Sequence, residues 1–284
     1  MTDLRQRLRR YGLRPRKGLG QHFLAWPQVL DRIADAAELQ PHETVLEIGP
    51  GLGDLTARLA QRAARVVAVE VDPRMRWPLA EVQQAHPNIE VVFGDILQHD
   101  PAALVGSTPY VVVANLPYNI TAAVTRHVLQ AEPRPARLVL LVQREVAERM
   151  AAAPPRMSLL TLLVQLYGQP RVLFRVPPAA FVPRPKVESA VVRIDMLPTP
   201  RVPEARLPLF WRLARAAFAQ KRKQVRNSLA AGLRLSKAEV QAWLQRARVE
   251  PTARAEALDW DAWQRLLATA PIARLGGEAT AARP

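Results

Sequence analysis

Residues Asn115-Leu116-Pro117-Tyr118 end an apolar run and have the residue types that methylation of an aromatic amino group needs. An amine conjugated to a ring is a poor nucleophile, because its lone pair is delocalised into the ring. Two hydrogen-bond acceptors that hold its hydrogens favour the localised form, and the side-chain oxygen of Asn115 and a backbone carbonyl beside Pro117 could supply them. Tyr118 could supply a flat surface on which the base stacks. The alternative interpretation is a buried strand that ends in a proline turn.

A glycine-rich turn, Gly49-Pro50-Gly51-Leu52-Gly53, follows another apolar segment and precedes a helical one. Glycines such as Gly49 and Gly51 let the backbone approach a ligand closely. Asp54, however, occupies the last glycine position of a dinucleotide fingerprint, and a carboxylate at the start of a helix would repel a pyrophosphate. The turn therefore favours a nucleoside ligand without phosphates, of which S-adenosylmethionine is the obvious candidate. A plain tight turn is the alternative.

Five apolar segments with the length of strands alternate with segments long enough for crossover helices. The five are residues 44–49, 65–71, 89–95, 110–115 and 137–143. Because each is mostly apolar, they predict a parallel α/β sheet that is covered on both faces. Ligands of such sheets bind outside the carboxyl ends of the strands. Glu70 and Asp95 lie at two of these ends, where Glu70 could accept both ribose hydroxyls of a nucleoside and Asp95 the amino group of its adenine.

The remaining segments predict a closing pair of strands and a second domain. Residues 158–167 have the pattern of a helix, and residues 171–176 and 188–195 look like an antiparallel pair of strands. The proline-rich stretch that follows is the best domain boundary. Beyond it, apolar residues recur at helical spacing from Phe210 to Phe218, which predicts a small helical domain.

Charge is concentrated in the two flanks of the chain. Residues 1–17 hold seven Arg and Lys against one acid, and residues 201–284 hold sixteen against seven, whereas residues 18–200 are neutral. This distribution favours a ligand-binding core with basic flanks that bind nucleic acid. Cys is absent and the five His are scattered, so we expect a cytoplasmic protein without a metal. No apolar stretch approaches the roughly 20 residues of a membrane span.

Eight motifs occur in the order and spacing of one protein family. The chain resembles the bacterial small-subunit rRNA adenine N6,N6-dimethyltransferases, the KsgA/RsmA group, over residues 10–270. The motifs are GLGQHFL (18–24), LEIGPGLGDLT (46–56), VEVDP (69–73), GDIL (94–97), NLPYNIT (115–121), QREVAERM (143–150), FVPRPKVESAVVR (181–193) and FAQKRKQVRNSL (218–229).

The resemblance implies an α/β fold, a Rossmann-like methyltransferase sheet that depends on S-adenosylmethionine, followed by a small helical domain. It implies dimethylation of two adjacent adenosines in a hairpin loop near the 3′ end of 16S rRNA, with S-adenosylhomocysteine as product. The expected partner is 16S rRNA in the immature small subunit, and the expected state is a cytoplasmic monomer without membrane attachment. The predicted divisions are a basic arm (1–17), a methyltransferase domain (18–197), a linker (198–203), a helical RNA-recognition domain (204–271) and a disordered tail (272–284).

The resemblance also assigns site residues. The target adenine would be held by Asn115, Leu116, Pro117 and Tyr118, and Phe181 would stack on its other face. Cofactor contacts are expected from His22, Leu24, Gly49, Gly51, Glu70, Asp95 and Asn115. RNA contacts are expected from Arg10, Arg14, Arg16, Lys17, Lys221, Arg222, Lys223 and Arg226. Many relatives have Asn where this chain has His22, and we expect the cofactor contact to survive because His also forms hydrogen bonds.

Three other functions stay open. A 23S rRNA adenine methyltransferase of the antibiotic-resistance type shares the core motifs. A DNA adenine methyltransferase is more distant, because such enzymes typically carry an acidic motif at the position of Asn115-Leu116-Pro117-Tyr118. A ribosome-assembly factor that has kept the fold and lost catalysis is the third, although the intact tetrapeptide argues against lost catalysis.

Overall fold

The computed structural model describes residues 4–106 and 109–275. The chain divides into two compact units. The sheet unit comprises the described residues up to Glu148 together with Gly168–Leu197, and the helical unit comprises Arg149–Tyr167 together with the described residues from Pro198 onward.

The sheet unit is built on a seven-stranded sheet and a separate two-stranded one. Its strands are β1 (Phe23–Leu24), β2 (Thr44–Ile48), β3 (Arg65–Glu70), β4 (Ile89–Phe93), β5 (Tyr110–Asn115), β6 (Arg137–Gln143), β7 (Gly168–Val176), β8 (Phe181–Val182) and β9 (Ser189–Met196). The large sheet has the order β4-β3-β2-β5-β6-β9-β7, and β1 pairs with β8. The five strands from β2 to β6 pair in parallel, while β9 is antiparallel to both of its neighbours. The predicted parallel sheet and the closing antiparallel pair are therefore confirmed.

Helices cover the sheet and form most of the second unit. Those that begin in the sheet unit are α1 (Leu4–Arg10), α2 (Pro27–Ala36), α3 (Asp54–Ala60), α4 (Arg76–Ala85), α5 (Pro101–Val105), α6 (Thr121–Leu129) and α7 (Arg144–Met150). Those of the helical unit are α8 (Leu159–Tyr167), α9 (Leu207–Phe218), α10 (Val225–Leu233), α11 (Lys237–Arg246), α12 (Trp260–Ala268) and α13 (Ile272–Leu275). No helix within the described ranges combines the length and the apolarity needed to cross a bilayer.

The central strands form because their side chains are apolar on both faces. Every residue of β2 is buried, and β5 is buried up to its last residue, Asn115. Val45, Val111 and Val113 pack with residues of α2 and α3 in one apolar cluster. This burial fixes the register of the strands, and the register sets the positions at which polar residues emerge at the carboxyl edge.

The predicted basic arm, residues 1–17, is packed on the sheet unit over its described part. Leu4, Leu8 and Leu13 are buried in an apolar cluster with Met75 and Leu79 of the β3–α4 region. Residues 1–3 lie outside the described range. The segment therefore combines an apolar face that packs and a basic face that is exposed, which charge counting alone does not distinguish.

Aromatic side chains form the core of the helical unit. The rings of Phe210 and Trp260 stack with centroids 5.7 Å apart, and those of Phe218 and Trp263 with centroids 5.9 Å apart. The indole of Trp243 donates a 3.2 Å hydrogen bond to the carbonyl of Leu266. These contacts explain how a few large aromatic side chains can support a unit of short helices.

The unit boundaries differ from the predicted divisions 18–197 and 198–203. Residues 149–167 belong to the helical unit, where the indole of Trp260 donates a 3.1 Å hydrogen bond to the side-chain oxygen of Gln165. In the predicted linker, Arg201 donates to the carbonyl of Gln165 at 2.9 Å. The physical reason is that α8 is apolar on most of its surface and needs helices around it. Of the predicted disordered tail, 272–284, the first four residues form α13, and residues 276–284 lie outside the described range.

Candidate active site

A cavity of about 310 Å³ lies at the carboxyl edge of the parallel strands, within the sheet unit. Its volume is in the range typical of small-ligand sites. The structure brings nearly all of the predicted cofactor and base residues to its wall. Those that line it are His22, Leu24, Gly49, Gly51, Glu70, Asp95, Asn115, Leu116, Pro117 and Tyr118.

The glycine-rich turn needs its glycines for conformation and for space. Gly49 and Gly51 have φ angles of 76° and 58°, in the left-handed region. A Cβ atom on Gly51 would lie 3.1 Å from the ring of Phe23. The turn therefore brings backbone to the cavity wall where a side chain would not fit.

Glu70 is buried at the end of β3, and its two carboxyl oxygens accept backbone hydrogen bonds. The N–H of Gly51 donates to Oε2 at 3.0 Å, and the N–H of Asp72 donates to Oε1 at 2.8 Å. Burial raises the pKa of Glu70, and these backbone donors oppose the shift. Each oxygen keeps a further lone pair, so this carboxyl is held in place and can still accept a ligand hydroxyl.

Asp95 lies just beyond β4 and is half-buried on the cavity wall. Its Oδ1 accepts a 3.0 Å hydrogen bond from the N–H of Leu97, within the short 3₁₀ turn Ile96–Gln98. Asp95 therefore caps this turn through Oδ1, as aspartates at such positions commonly do. Its Oδ2 stays available as an acceptor.

Asn115 is oriented by its amide nitrogen. Its Nδ2 donates a 3.2 Å hydrogen bond to the carbonyl of His22, and this orientation leaves Oδ1 as the acceptor at the cavity wall. The carbonyl of Pro117 already accepts hydrogen bonds from the N–H of Ile120 and the hydroxyl of Thr121, both at 3.2 Å. The carbonyl of Leu116 is therefore the better candidate for the second acceptor that the chemistry needs.

Tyr118 is fixed at both ends of its side chain. Its hydroxyl lies 2.7 Å from the Ser189 hydroxyl, and the ring of His22 stacks on it with centroids 5.8 Å apart and planes 22° apart. Burial raises the pKa of Tyr118, so the phenol stays protonated at neutral pH. The imidazole of His22 also has its Nδ1 2.8 Å from the carbonyl of Pro183, which fits an Nδ1–H donor. The His22 ring thus supports the tyrosine that is predicted to hold the base.

Phe181, predicted to stack on the target base, is buried in the apolar core of the sheet unit. It is 2% exposed, pairs with Leu24 between the short strands β8 and β1, and belongs to the apolar cluster that also contains Val176 and Ala180. It is not among the residues that line the cavity. Burial in the core removes more apolar surface of the ring from water than exposure at a cavity would, and is therefore lower in free energy. To stack on a base, the ring would have to leave that core.

Two residues at the site have no counterpart in the sequence predictions. Gly20 packs against the tetrapeptide and the residue after it, since a Cβ there would lie 3.2 Å from Cβ of Pro117 and 3.0 Å from Oδ1 of Asn119. Glu47 lines the cavity from the middle of β2 and is 1% exposed. A single acid inside a fully buried strand was the signal that could have identified it.

The predicted RNA-binding cations fall into two groups. In the N-terminal segment, Arg10 forms a 2.8 Å ion pair with Glu81, and Arg16 lies 3.9 Å from Asp72. Arg14 and Lys17 are exposed. In the helical unit, Lys221, Arg222 and Lys223 are exposed in the loop between α9 and α10, and Arg226 donates to the side chain of Gln241 at 3.1 Å.

The fold and the site together define a Rossmann-like methyltransferase. The family model of ribosomal RNA adenine dimethylases matches residues 12–270. A ribosomal RNA small subunit methyltransferase A of Dehalococcoides mccartyi is 45% identical over 267 residues, which cover 94% of this chain and 92% of that protein. A protein of the same name from Pelotomaculum thermopropionicum is 42% identical over 271 residues, with 90% and 91% covered. The chain therefore belongs to the ribosomal RNA adenine dimethylase family, and the resemblance seen in its sequence is confirmed.

Two solved structures extend the comparison. The 23S rRNA methyltransferase ErmE superposes with a TM-score of 0.72 at 32% identity, covering 87% of this chain and 98% of that one. A dimethyladenosine transferase from Plasmodium falciparum also gives a TM-score of 0.72, at 26% identity, with 86% and 96% covered. Membership of this methyltransferase family implies S-adenosylmethionine as the methyl donor.

Proposed function

We propose that this protein transfers methyl groups from S-adenosylmethionine to the N6 amino groups of two adjacent adenosines in a hairpin loop near the 3′ end of 16S rRNA, during small-subunit biogenesis. The observation that carries the proposal is the orientation of Asn115. Its Nδ2 is engaged by the carbonyl of His22, which leaves Oδ1 as an acceptor at the cavity wall that Leu116 also lines. Two acceptors are what an aromatic amine requires before it can attack, and the Leu116 carbonyl is the candidate for the second.

The cavity residues fit a nucleoside cofactor with a cationic amino-acid part. The positive-φ glycines Gly49 and Gly51 bring backbone to the wall, and Glu70 and Asp95 supply acceptors for ribose and adenine. An unpaired oxygen of Glu47 suits a positive charge. When bound, the cofactor supplies an electrophilic methyl group on a sulfonium, whose leaving group is a neutral thioether.

The chain's own residues would position the base. Oδ1 of Asn115 and the carbonyl of Leu116 would each accept one N6 hydrogen, which localises the nitrogen lone pair toward the methyl group. The adenine must leave its stack, at a cost of a few kcal/mol that is smallest in a loop. Stacking on Tyr118, worth roughly 1–3 kcal/mol, would offset much of that cost. Phe181 would take part only if its ring leaves the core, so its stacking role stays a prediction.

The second candidate is a 23S rRNA methyltransferase, which the structural similarity to ErmE favours. The relatives named small subunit methyltransferase A are more similar in sequence, at 42% to 45% identity against 32% for ErmE, and they support the small-subunit assignment. We also propose that the protein works in the cytoplasm as a monomer, and that the basic residues of the helical unit bind the rRNA backbone.

The assignment can be tested with methyl-labelled cofactor and three substrates: naked 16S rRNA, naked 23S rRNA and partly assembled small subunits. We expect label on two adjacent adenosines of 16S rRNA, present as N6,N6-dimethyladenosine. Label on 23S rRNA alone would favour the second candidate. Cofactor binding without transfer to any of the three would favour an assembly factor.

A further inference from the structure

Glu47 is a charged residue type inside β2, a strand whose five residues are all buried. In the register of the sheet it lies between Ala68 of β3 and Val113 of β5, and its side chain is on the face of β2 that also carries Val45. The residue is 1% exposed, yet it lines the cavity together with Leu30 and Leu55. A carboxyl in such surroundings must either carry a proton or be compensated by partners.

Compensation at Glu47 is weak. Its Oε2 has no hydrogen bond of normal geometry among the described residues. The Thr56 hydroxyl, which also lacks a partner at that geometry, is a neutral donor near enough to favour the charged form of Glu47. Glu70, on the adjacent strand, is buried to a similar degree but accepts two backbone N–H groups. The two neighbouring carboxyls therefore differ: two backbone donors hold Glu70, whereas Oε2 of Glu47 is left unpaired.

The charges that act on Glu47 are negative. Desolvation has the largest effect and raises the pKa of Glu47, while the Thr56 hydroxyl opposes it. Glu70 on β3 and Asp54 at the start of α3 raise the pKa further, although Asp54 is itself paired with Arg7. The net result is a pKa of about 8.

The other neighbouring helix, α2, supplies no cation to Glu47. Its charged side chains are engaged elsewhere: Asp31 pairs with Arg58, Asp35 pairs with Arg62, and Arg32 lies over the ring of Phe174. A positive charge for Glu47 would therefore have to come from a ligand in the cavity.

We propose that Glu47 carries a proton in the ligand-free protein and releases it to solvent when the cationic cofactor binds, so that its carboxylate becomes the buried counter-ion of the ligand. The step breaks the O–H bond of the carboxylic acid and forms no covalent bond to the cofactor. S-adenosylmethionine carries an ammonium and a sulfonium, and either can be the cation that drives ionisation. The inference rests on the proposed function in one respect, that the ligand of the cavity is this cofactor.

The sign of the pH dependence follows from the linkage. If binding releases one proton, affinity rises about tenfold for each pH unit below the pKa of Glu47 and levels off above it. The unliganded protein behaves in the opposite way. A carboxyl whose pKa is raised by folding makes the native state less stable as pH rises from the ordinary value of 4.5 to about 8.

Calorimetric titration of the protein with S-adenosylmethionine, at pH 6.8 in two buffers of different ionisation enthalpy, counts the released protons. We expect close to one proton for the wild type and close to none for Glu47→Gln, which keeps the shape of the protonated side chain. Between pH 6.0 and 7.0 the wild-type affinity should rise about tenfold and that of the variant should stay nearly constant. This pH range lies below the ordinary pKa of an α-amino group, about 7.7–8.0, so the ligand itself does not titrate.

A matched control is Glu43→Gln, which changes a buried carboxyl paired with Arg137 at the other end of the same strand. It should release as many protons as the wild type. Two other ligands identify the cation. S-adenosylhomocysteine keeps the ammonium and lacks the sulfonium, and methylthioadenosine lacks both, so methylthioadenosine should bind without proton release. Release with both S-adenosyl ligands assigns the ammonium, and release with S-adenosylmethionine alone assigns the sulfonium.

Proton-neutral binding of S-adenosylmethionine by the wild type, or equal release by Glu47→Gln, would overturn the proposal. Failure of the cofactor to bind at all would count against the proposed function instead. In that case the carboxyl carbon of Glu47 can be followed by NMR in the ligand-free protein. A titration midpoint near 8 supports the protonated state, and a midpoint near 4.5 contradicts it.

Discussion

The N-terminal segment and the loop between α9 and α10 both carry runs of arginine and lysine, but the two runs are held differently. In the N-terminal segment, Arg7 binds Asp54 and donates to the carbonyl of Leu52 at 3.1 Å, while Arg10 binds Glu81. In the loop, Lys221–Lys223 are exposed, and none of the three forms an ion pair within the described part of the chain.

The difference teaches that the charge of a segment is not the charge available to a phosphate. A cation that already has a carboxylate partner displaces fewer counterions from the RNA, because the carboxylate neutralises part of its charge and competes with the phosphate. Arg7 moreover binds next to the glycine-rich turn of the cofactor cavity, so this cation stabilises the fold and is not free to contact RNA. The loop between α9 and α10 is accordingly the better candidate for the main phosphate contact.

The largest effect is expected from replacing Lys221, Arg222 and Lys223 together by Ala. If each cation contacts one phosphate, the slope of log affinity against log salt should become shallower by about 2, at roughly 0.7–0.9 for each contact. Affinity for 16S rRNA at low salt should fall by more than tenfold, while cofactor affinity is unchanged. Filter binding at several salt concentrations measures both, and an unchanged slope would contradict the role of this loop.

An intermediate effect is expected from Arg7→Ala. The change removes a partly buried ion pair and a hydrogen bond to the turn, so the free energy of unfolding should fall by about 1 kcal/mol. Cofactor affinity should fall several-fold, because the Gly51–Gly53 turn loses an anchor. Arg9→Ala, which removes an exposed charge from the same helix, is the matched control. Equal free energies of unfolding for the two variants would show that the contacts of Arg7 do not stabilise the protein.

The smallest effect is expected from Arg10→Ala, since both partners of its ion pair are about half exposed. Stability should change by less than about 0.5 kcal/mol. The slope of log RNA affinity against log salt should change by less than the roughly 0.7–0.9 expected for one phosphate contact, because Glu81 holds the Arg10 side chain. Glu81→Gln frees Arg10, and the slope should then steepen. If Arg10→Ala alone lowered the slope by the amount of a whole phosphate contact, Arg10 would contact the RNA directly.

Sequence patterns predicted the sheet and most of the cavity for a physical reason. Strands buried on both faces are apolar along most of their length, so their ends are visible as the points where polar residues become frequent again. Glu70, Asp95 and Asn115 were identified in this way, and all three line the cavity. Their positions follow from the local apolar pattern and from the rule that ligands bind outside the carboxyl ends of parallel strands.

The features that were missed depend on contacts distant in sequence. Residues 149–167 join the helical unit through partners such as Trp260, which lies some ninety residues further on. Phe181 is buried because β8 pairs with β1, and both strands are two residues long, too short to predict. The weakly compensated state of Glu47 is visible only when the neighbours of its oxygens are known. Apolar periodicity carries none of this information.

The most direct test of the account is Asn115→Ala, with Gln84→Ala, which removes an exposed amide of α4 away from the cavity, as its control. Loss of an acceptor that acts on the reacting nitrogen should lower the single-turnover rate of methyl transfer to small-subunit rRNA by roughly 10²–10³-fold, by analogy with removal of one transition-state hydrogen bond. Cofactor affinity, measured by calorimetry, should change by less than about tenfold. A rate close to that of the wild type, with intact cofactor binding, would contradict the role of Asn115 and with it the proposed mechanism.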